Sequence, residues 1–148
     1  MGYWDLVDNP TGESYISLID LLCAHSDTFY FVTRKELDYD VKIIQQFQPY
    51  IIEQYKTKEW ASTRTSGPAA TVYKIEVCSQ TCQLLKKLAN SLYDWISPGL
   101  PEDLTFIKNN FVWFVSCSHE EFAYFNIRST YYENIITEST KLNIIKID

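Results

Sequence analysis

The stretch from residue 100 to residue 125, LPEDLTFIKNNFVWFVSCSHEEFAYF, constrains the fold of this chain more than any other part of it. It contains two runs rich in aromatic and β-branched residues, and Asn109-Asn110 separates them. Asparagine tolerates the left-handed backbone that a two-residue hairpin turn requires. We therefore predict a β-hairpin at about 103–117. Residues 111–117 are apolar on both faces, which indicates an interior strand of the sheet.

The segment that follows the hairpin indicates a helix and a candidate site. Ser118 precedes two carboxylates, Glu120 and Glu121, in the order that is typical of a helix N-cap and first turn. The sequence therefore predicts a short helix over about 119–125. His119 and Glu120 should be partly exposed at the strand-to-helix turn, where substitutions change stability little.

The rest of the chain alternates between helical and strand-like patterns. Hydrophobic residues at helical spacing predict helices at about 12–25, 36–60, 80–96 and 130–140. Runs of β-forming residues predict strands at 28–33, 71–78 and 142–147. This order predicts an α+β fold, a single domain over residues 1–148 with a mostly antiparallel sheet and packed helices.

Three further positions carry expectations about this fold. Pro49 falls inside the helical stretch at 36–60, so we expect a kink or two abutting helices there. The segment 62–70 is the clearest loop in the chain. Trp113 should anchor the hairpin against the helix at 80–96, because the apolar stripe of that helix needs cover.

The acidic composition excludes some classes of partner. The formal net charge is −6 and the pI is about 4.9. Nucleic-acid binders usually need a basic stripe, whereas the 13 Lys and Arg of this chain are scattered. No apolar run approaches the roughly 20 residues that span a bilayer, and the first residues lack the pattern of a signal peptide. We therefore expect a cytoplasmic protein with neither a nucleic-acid nor a membrane partner.

The four cysteines of a cytoplasmic chain are expected to be thiols. Cys78 and Cys82 lie at one predicted strand-to-helix junction, and Cys117 and His119 lie at another. Neighbouring strands that run in the same direction would bring these junctions together and offer three sulfurs and a nitrogen to zinc. The spacing matches no standard zinc motif. The sequence therefore predicts no metal and no cofactor, with these four residues as the alternative zinc site.

No catalytic constellation is complete in the sequence. The triplet at 119–121 begins like the zinc-protease motif H-E-x-x-H, but Ala123 takes the place of the second histidine. The segment 62–70 offers Arg64 and several hydroxyl groups to an anion, although a flexible connection explains this composition better. We predict no catalytic residues, and a binding protein is favoured over an enzyme.

Aromatic residues make up 16% of the chain, and they are dense between residues 111 and 132. Some of them occupy successive positions after the hairpin, so at least a few should point outward. Exposed aromatic rings beside carboxylates suit a protein partner or a planar ligand. The candidate binding residues are Trp113, His119, Glu120, Glu121, Phe122, Tyr124 and Arg64.

A block within residues 92–125 has a recognisable composition. It contains Tyr93-Asp94-Trp95, Leu100-Pro101-Glu102-Asp103-Leu104, Phe106, Trp113-Phe114 and Ser118-His119-Glu120. This block resembles a family of small bacterial and phage proteins, some of which carry the label stage III sporulation protein AH-like. The resemblance implies a small cytoplasmic bacterial or phage protein, and it transfers no catalytic residues to this chain.

These features predict a small acidic binding or inhibitor protein that captures a macromolecular partner, as immunity proteins, antitoxins and anti-defence inhibitors do. The alternative is a small-molecule or nucleotide-binding protein that sequesters its ligand in an aromatic pocket near the hairpin exit. In that pocket His119 would donate a hydrogen bond to the ligand, and Trp113 or Tyr124 would stack against it.

Overall fold

The computed structural model describes residues 2–147, which form ten β-strands, four α-helices and two short 3-10 helices. The first half of the chain contains β1 (Gly2–Leu6), α1 (Glu13–Ala24), β2 (Thr28–Thr33), α2 (Val41–Phe47), β3 (Ile51–Thr57), β4 (Glu59–Trp60), β5 (Thr63–Arg64) and β6 (Ala70–Glu76). The second half contains α3 (Ser79–Leu88), β7 (Glu102–Lys108), β8 (Phe111–Cys117), β9 (Phe122–Ile127), α4 (Thr130–Thr137) and β10 (Ile144–Ile147). The 3-10 helices cover Gln48–Tyr50 and Leu92–Asp94.

One large sheet organises the structure. It has eight strands in the order β10-β1-β9-β8-β7-β2-β6-β3, and β4 and β5 form a separate two-stranded hairpin. Neighbouring strands of the large sheet are antiparallel throughout. The predicted α+β fold, with a mostly antiparallel sheet and packed helices, is confirmed. The prediction that 111–117 forms an interior strand is also confirmed, because β8 lies between β7 and β9.

The turn of the β7–β8 hairpin is formed by Asn109 and Asn110, as the sequence predicts. Both residues have a left-handed backbone, with φ angles of 51° and 63°. A turn with this backbone at both central positions matches the right-handed twist of the strands it joins. Asp27 holds the turn from outside the hairpin, since its Oδ2 accepts a hydrogen bond from the Asn109 N–H at 2.9 Å.

All four helices within residues 2–147 cover one face of the large sheet. Their buried residues in the shared hydrophobic cluster are Tyr15, Leu18, Ile19 and Leu22 of α1, Phe47 of α2, Leu85 of α3 and Ile136 of α4. The sheet contributes five phenylalanines to this cluster, Phe29, Phe31, Phe106, Phe114 and Phe125. Contacts between these rings join centroids 4.9 to 6.3 Å apart. Much of the aromatic surplus therefore belongs to the core.

The opposite face of the sheet is covered only in part, by the β4–β5 hairpin. Trp60 of this hairpin packs on Tyr30, Val72 and Ile107, which belong to the strands β2, β6 and β7. The Tyr30 hydroxyl accepts a hydrogen bond from the Ala61 N–H at 2.9 Å, which ties the hairpin to the sheet. The same face is left uncovered farther along the sheet, on β9, β1 and β10.

The helices are short. The longest of them, α1, has 12 residues, and α2 has 7. In the part of the chain that the structure describes, no helix is both long and apolar enough to cross a membrane.

The helix predicted at 36–60 is wrong in its second half. The helical part ends at Phe47, a 3-10 turn with Pro49 follows, and the chain continues as the edge strand β3. Most side chains of β3 are exposed. An edge strand that is exposed on both faces lacks the alternation of apolar and polar residues by which strands are recognised.

The short helix predicted over 119–125 is also wrong. Residues 118–121 form a tight turn, and the following residues form β9, which pairs with β8 and β1. Ser118 therefore caps no helix. Its backbone N–H donates to Asp103 Oδ1 at 3.0 Å, and this long-range contact fixes the turn.

The helix predicted at 80–96 is shorter than expected, because α3 ends at Leu88. Asp94 Oδ2 accepts hydrogen bonds from the N–H groups of Asn90 and Ser91, each at 2.9 Å. These bonds favour a turn at the point where the helical pattern would continue. Trp95 still reaches the core, where its Nε1 donates to the Tyr15 hydroxyl at 2.8 Å.

Trp113 is buried, but it is not anchored on α3. A register shift in the β7–β8 pair places both Trp113 and Phe114 on the helix-covered face. The indole packs on Phe125 and on Tyr132 of α4, with ring centroids 5.6 Å and 5.4 Å away. Its Nε1 donates to Ser26 Oγ at 2.8 Å. The expected anchor exists, and the helix that it contacts is α4.

The expectation of four thiols is wrong for Cys23 and Cys82, which form a disulfide between α1 and α3. The two helices pack against each other, which brings residues that are 59 positions apart within bonding distance. Sequence spacing does not reveal such a pairing. Cys78 and Cys117 are free.

Candidate functional site

The tight turn between β8 and β9, residues 118–121, gathers several of the predicted binding residues. His119, Glu120 and Glu121 are exposed in it, and Phe122 follows as the first residue of β9. Glu121 has a left-handed backbone, with a φ of 52°. Its N–H donates to the carbonyl three residues earlier at 3.3 Å, which closes the turn. We refer to residues 118–121 as the β8–β9 turn.

A buried carboxylate orients the imidazole of this turn. His119 Nε2 lies 2.5 Å from Glu102 Oε1, with the His119 side chain 40% exposed and the Glu102 side chain 1% exposed. No hydrogen bond joins the two side chains, so Glu102 Oε1 has no hydrogen-bond donor within the described residues. Glu102 Oε2 accepts a short hydrogen bond from the Tyr39 hydroxyl.

A second buried carboxylate, Asp103, ties the turn to the β4–β5 hairpin. Its Oδ1 accepts from the Ser118 N–H at 3.0 Å. Its Oδ2 accepts from Trp60 Nε1 at 2.9 Å and from Ser62 Oγ at 3.2 Å. Asp103 also has a left-handed backbone, with a φ of 62°. Three donors from two separate segments therefore converge on one carboxylate.

Burial dominates the electrostatics of the first carboxylate. It raises the pKa of Glu102 above the ordinary value of 4.5, and the neighbouring charge of Asp103 acts in the same direction. The hydrogen bond from Tyr39 and the charges of His119 and Arg34 oppose this shift without cancelling it. Burial also raises the pKa of Tyr39, and the hydrogen bond to Glu102 adds to this effect. The pair can therefore hold a proton that an exposed glutamate would release.

The thiol beside the turn is not activated. Cys117 Sγ lies 3.9 Å from Thr63 Oγ1, and burial raises the pKa of the Cys117 thiol. A raised pKa favours the thiol over the nucleophilic thiolate. Within residues 2–147 the only carboxylate within 4.0 Å of the His119 imidazole is that of Glu102. The geometry thus presents an oriented, exposed imidazole that suits contact with a partner.

An uncovered apolar surface adjoins the turn on the sheet face opposite the helices. Residues paired in register on antiparallel strands project their side chains to the same face. Tyr124 of β9 pairs with Asp5 of β1, and Asp5 also pairs with Ile145 of β10. Tyr3 is 50% exposed and Ile145 is 54% exposed. We define the open face as Tyr3, Asp5, Phe122, Tyr124, Ile145 and Ile147.

The aromatic rings of the open face contact one another. Tyr3 and Tyr124 meet edge to face, with centroids 5.7 Å apart. Phe122 and Tyr124 are stacked at 6.4 Å with an interplanar angle of 9°. The three rings therefore form a continuous surface across β1 and β9.

Carboxylates give the β8–β9 turn and the open face a negative electrostatic potential. Burial raises the pKa of Tyr124, and the neighbouring Tyr3 and Asp5 raise it further. Burial also raises the pKa of Tyr93 to about 12, with added contributions from Glu121, Asp5 and other nearby acidic groups. The turn and the open face thus share one acidic environment.

The structure separates the other predicted site residues from this surface. Trp113 is buried under α4 near the opposite end of β8, so it does not join His119 in one pocket. Arg64 is exposed on the β4–β5 hairpin and pairs with Glu59 at 3.1 Å. Strand β5 of this hairpin lies within the segment 62–70, which the sequence predicts to be a loop.

The alternative zinc site is not assembled. Cys82 is bonded to Cys23, and Cys78 Sγ lies 3.6 Å from Thr81 Oγ1 at the start of α3. In the described range, residues 2–147, no group of three or more His, Cys, Asp or Glu side chains could hold a metal ion. Cys117 and His119 therefore lack the partners that the alternative requires.

Sequence reasoning missed Glu102, Asp103 and Tyr39 as the residues that hold the turn. The available signal was the pair of acidic residues in LPEDL at the entrance of a strongly apolar strand, because carboxylates at buried positions need partners. It also missed Tyr3. The alternation in GYWDL, residues 2–6, has the period of two that indicates a half-buried strand.

Comparisons with known proteins assign no role to the candidate site. No protein-family model, curated protein or solved structure matches the chain. The resemblance of residues 92–125 to small bacterial and phage proteins stays a prediction.

Proposed function

We propose that this protein captures a basic protein partner through the open face and the β8–β9 turn. The observation that carries the proposal is the open face itself, a continuous aromatic and aliphatic surface on three adjacent strands. Proteins that act alone rarely expose extended apolar patches, and a patch with a polar rim is typical of an interaction site.

The charges favour a basic partner. Asp5 lies within the open face, and Glu120 and Glu121 lie at its end. None of the six residues that define the open face is Lys or Arg, and the whole chain has a net charge of −6. Complementary charge accelerates encounter and selects against acidic competitors.

The side chains match the anatomy of protein interfaces. Tyrosine and phenylalanine are enriched at interface centres, where a few aromatic anchors carry most of the binding free energy. Tyr3, Phe122 and Tyr124 supply such anchors. His119 adds a polar group at the rim, and the contact with Glu102 holds it in one orientation before the partner arrives.

A small acidic protein with these properties belongs with inhibitors of the immunity, antitoxin or anti-defence type. In such proteins capture of the partner is the function, and no reaction is required. The proposal therefore predicts that binding alone neutralises the partner.

Ile145→Lys tests the apolar part of the surface, because it places a cation within the open face, beside Asp5. Ile52→Lys is the matched control, since Ile52 is 59% exposed on the opposite edge strand. The tagged proteins would be used to capture partners from the native host at about 0.15 M salt. The dissociation constant of each purified partner would then be measured for all variants.

We expect one basic partner to bind the wild type and the Ile52→Lys control alike. Ile145→Lys should weaken this binding by about 30-fold or more, the effect of losing a hot-spot contact. Glu120→Lys combined with Glu121→Lys should slow association, whereas Glu53→Lys on β3 should not. The proposal is wrong if Ile145→Lys binds like its control, if the wild type retains no partner, or if sedimentation shows the open face covered by a second copy of the chain.

A further inference from the structure

A second site lies at the other end of β9, where the turn of the β7–β8 hairpin approaches the start of α4. It is a cavity of about 320 Å³. This volume is at the lower end of the roughly 300–1,000 Å³ that small-molecule sites occupy. The residues that decide its chemistry are Lys108, Phe111, Trp113, Asn126, Arg128 and Tyr132.

The aromatic walls of this cavity are fixed by packing. Trp113 is buried, and its indole is held by Tyr132 on one side and by a hydrogen bond to Ser26 Oγ at 2.8 Å. Tyr132 is held in turn by an edge contact with His25, with ring centroids 6.1 Å apart. Rigid aromatic walls favour a planar ring as ligand, because little side-chain freedom is lost on binding.

Two cations line the same cavity in a molecule that is acidic overall. The Arg128 guanidinium lies 3.7 Å from the centroid of the Phe111 ring, and Lys108 lines the cavity with it. Within residues 2–147 no carboxylate oxygen lies within 4.0 Å of either cation. Both charges are therefore available to an anion, and a guanidinium matches the geometry of phosphate oxygens.

We propose that this cavity binds a planar aromatic ring that carries a phosphate, the chemistry of a nucleoside monophosphate. The ring packs against Tyr132, which is supported by the buried Trp113, and the phosphate meets Arg128 and Lys108. The proposal is independent of partner capture through the open face, because it uses a different set of side chains.

The test measures binding of AMP, GMP, CMP and UMP to the full chain by calorimetry and by thermal shift. Adenosine and inorganic phosphate are the two half-ligand probes. Arg128→Gln removes the cation that stacks on Phe111, and Arg64→Gln is the matched control at an exposed arginine on the β4–β5 hairpin. Phe111→Leu removes the ring beneath the guanidinium and keeps an apolar side chain.

We expect at least one mononucleotide to bind and to raise the melting temperature, as ligands of the native state do. Arg128→Gln should weaken its binding by about 10- to 100-fold, the effect of losing a charge-assisted hydrogen bond. Arg64→Gln should leave binding unchanged, and both half-ligands should bind more weakly than the mononucleotide. Phe111→Leu should weaken mononucleotide binding and leave the melting temperature of the free protein close to that of the wild type.

Three results would overturn the proposal. The first is that no mononucleotide binds at millimolar concentration. The second is that inorganic phosphate binds as well as the mononucleotides, which would make the site a simple anion contact. The third is an equal effect of Arg128→Gln and Arg64→Gln, which would place the ligand elsewhere.

Discussion

Nε2 of His119, a residue exposed in the β8–β9 turn, lies 2.5 Å from Oε1 of Glu102, which is buried at the entrance of β7. An exposed residue and a buried residue are thus in direct contact. Substitution of the exposed His119 should therefore alter the surroundings of a carboxylate that is buried in the sheet.

His119→Ala and Glu120→Ala should have different effects, although the sequence predicts two neutral exposed positions. His119→Ala leaves Glu102 Oε1 buried without a partner, and we expect a loss of about 1–2 kcal/mol in the free energy of unfolding. Glu120→Ala should change it by less than about 0.5 kcal/mol. Urea denaturation of the two single variants checks this difference. If both variants changed the free energy of unfolding by equally small amounts, water would be replacing the imidazole beside Glu102 without loss of stability.

Glu102→Gln should change how stability depends on pH. The folded chain holds the Glu102 proton to a higher pH than the unfolded chain, because burial raises the pKa above 4.5. The contribution of Glu102 to stability is then fully present below about pH 4.5 and is lost as the pH rises through the folded pKa. Glutamine has no proton to lose. The melting temperature of the wild type relative to Glu102→Gln should therefore fall as the pH rises above about 4.5.

The groups that face Glu102 shift its pKa in opposite directions, so the sign of the pH dependence shows which of them dominates. They are Tyr39, Asp103, His119 and Arg34. The melting temperature of the wild type could instead rise relative to that of Glu102→Gln as the pH increases. That result would show that the charge of His119 outweighs burial in setting the pKa of Glu102. Glu120→Gln, in the exposed part of the same turn, provides the control and should show the pH profile of the wild type.

Asp103→Ala should be strongly destabilising, because it removes the acceptor of three donors at once. Trp60 Nε1, Ser62 Oγ and the Ser118 N–H all bond to this carboxylate. We expect a loss of at least about 3 kcal/mol in the free energy of unfolding. Asp103→Asn keeps one oxygen and tolerates the left-handed backbone, so it should cost about half as much. Chemical denaturation of both variants is the measurement, and equal losses would show that the hydrogen bonds are not the cause.

Trp113→Ala should cost about 3–5 kcal/mol, as large aromatic truncations in cores do. The indole fills the space between the sheet and α4. Trp113→Phe keeps a ring there and loses the hydrogen bond to Ser26 Oγ, so its cost should be clearly smaller. Ser26→Ala isolates that bond, at about 1 kcal/mol. Urea titrations of the three variants give the ranking, and a Trp113→Phe protein as unstable as Trp113→Ala would contradict it.

Local chemistry was sufficient to predict the centre of the fold. Asn109-Asn110 between two apolar runs specifies the hairpin turn, and the β-branched and aromatic runs predict strands at 28–33 and 71–78, which the structure has at 28–33 and 70–76. Each of these signals is contained within a few neighbouring residues. They require no knowledge of what the segment will contact.

The errors arose where a distant residue decides the local structure. Ser118 followed by two glutamates has the composition of a helix start, yet Asp103 takes the Ser118 N–H and a turn forms. Ile51 and Tyr55 have helical spacing, yet their segment is an edge strand. The candidate site depends on the same kind of contact, because Glu102 and Tyr39 are 63 residues apart. No pattern within a short window contains that information.

The position of β1 in the sheet sets the order in which the molecule can assemble. β1, the first strand of the described residues, lies between β9 and β10, so both of its neighbours come from near the other end of the described chain. Proteins are synthesised from the N-terminus, and residues 2–6 therefore stay unpaired until residues 122–147 have left the ribosome. Such long-range pairing slows folding. During this interval the apolar side chains of Tyr3, Trp4 and Leu6 lack their partners, and an unpaired strand with exposed apolar side chains favours association with other unfolded chains.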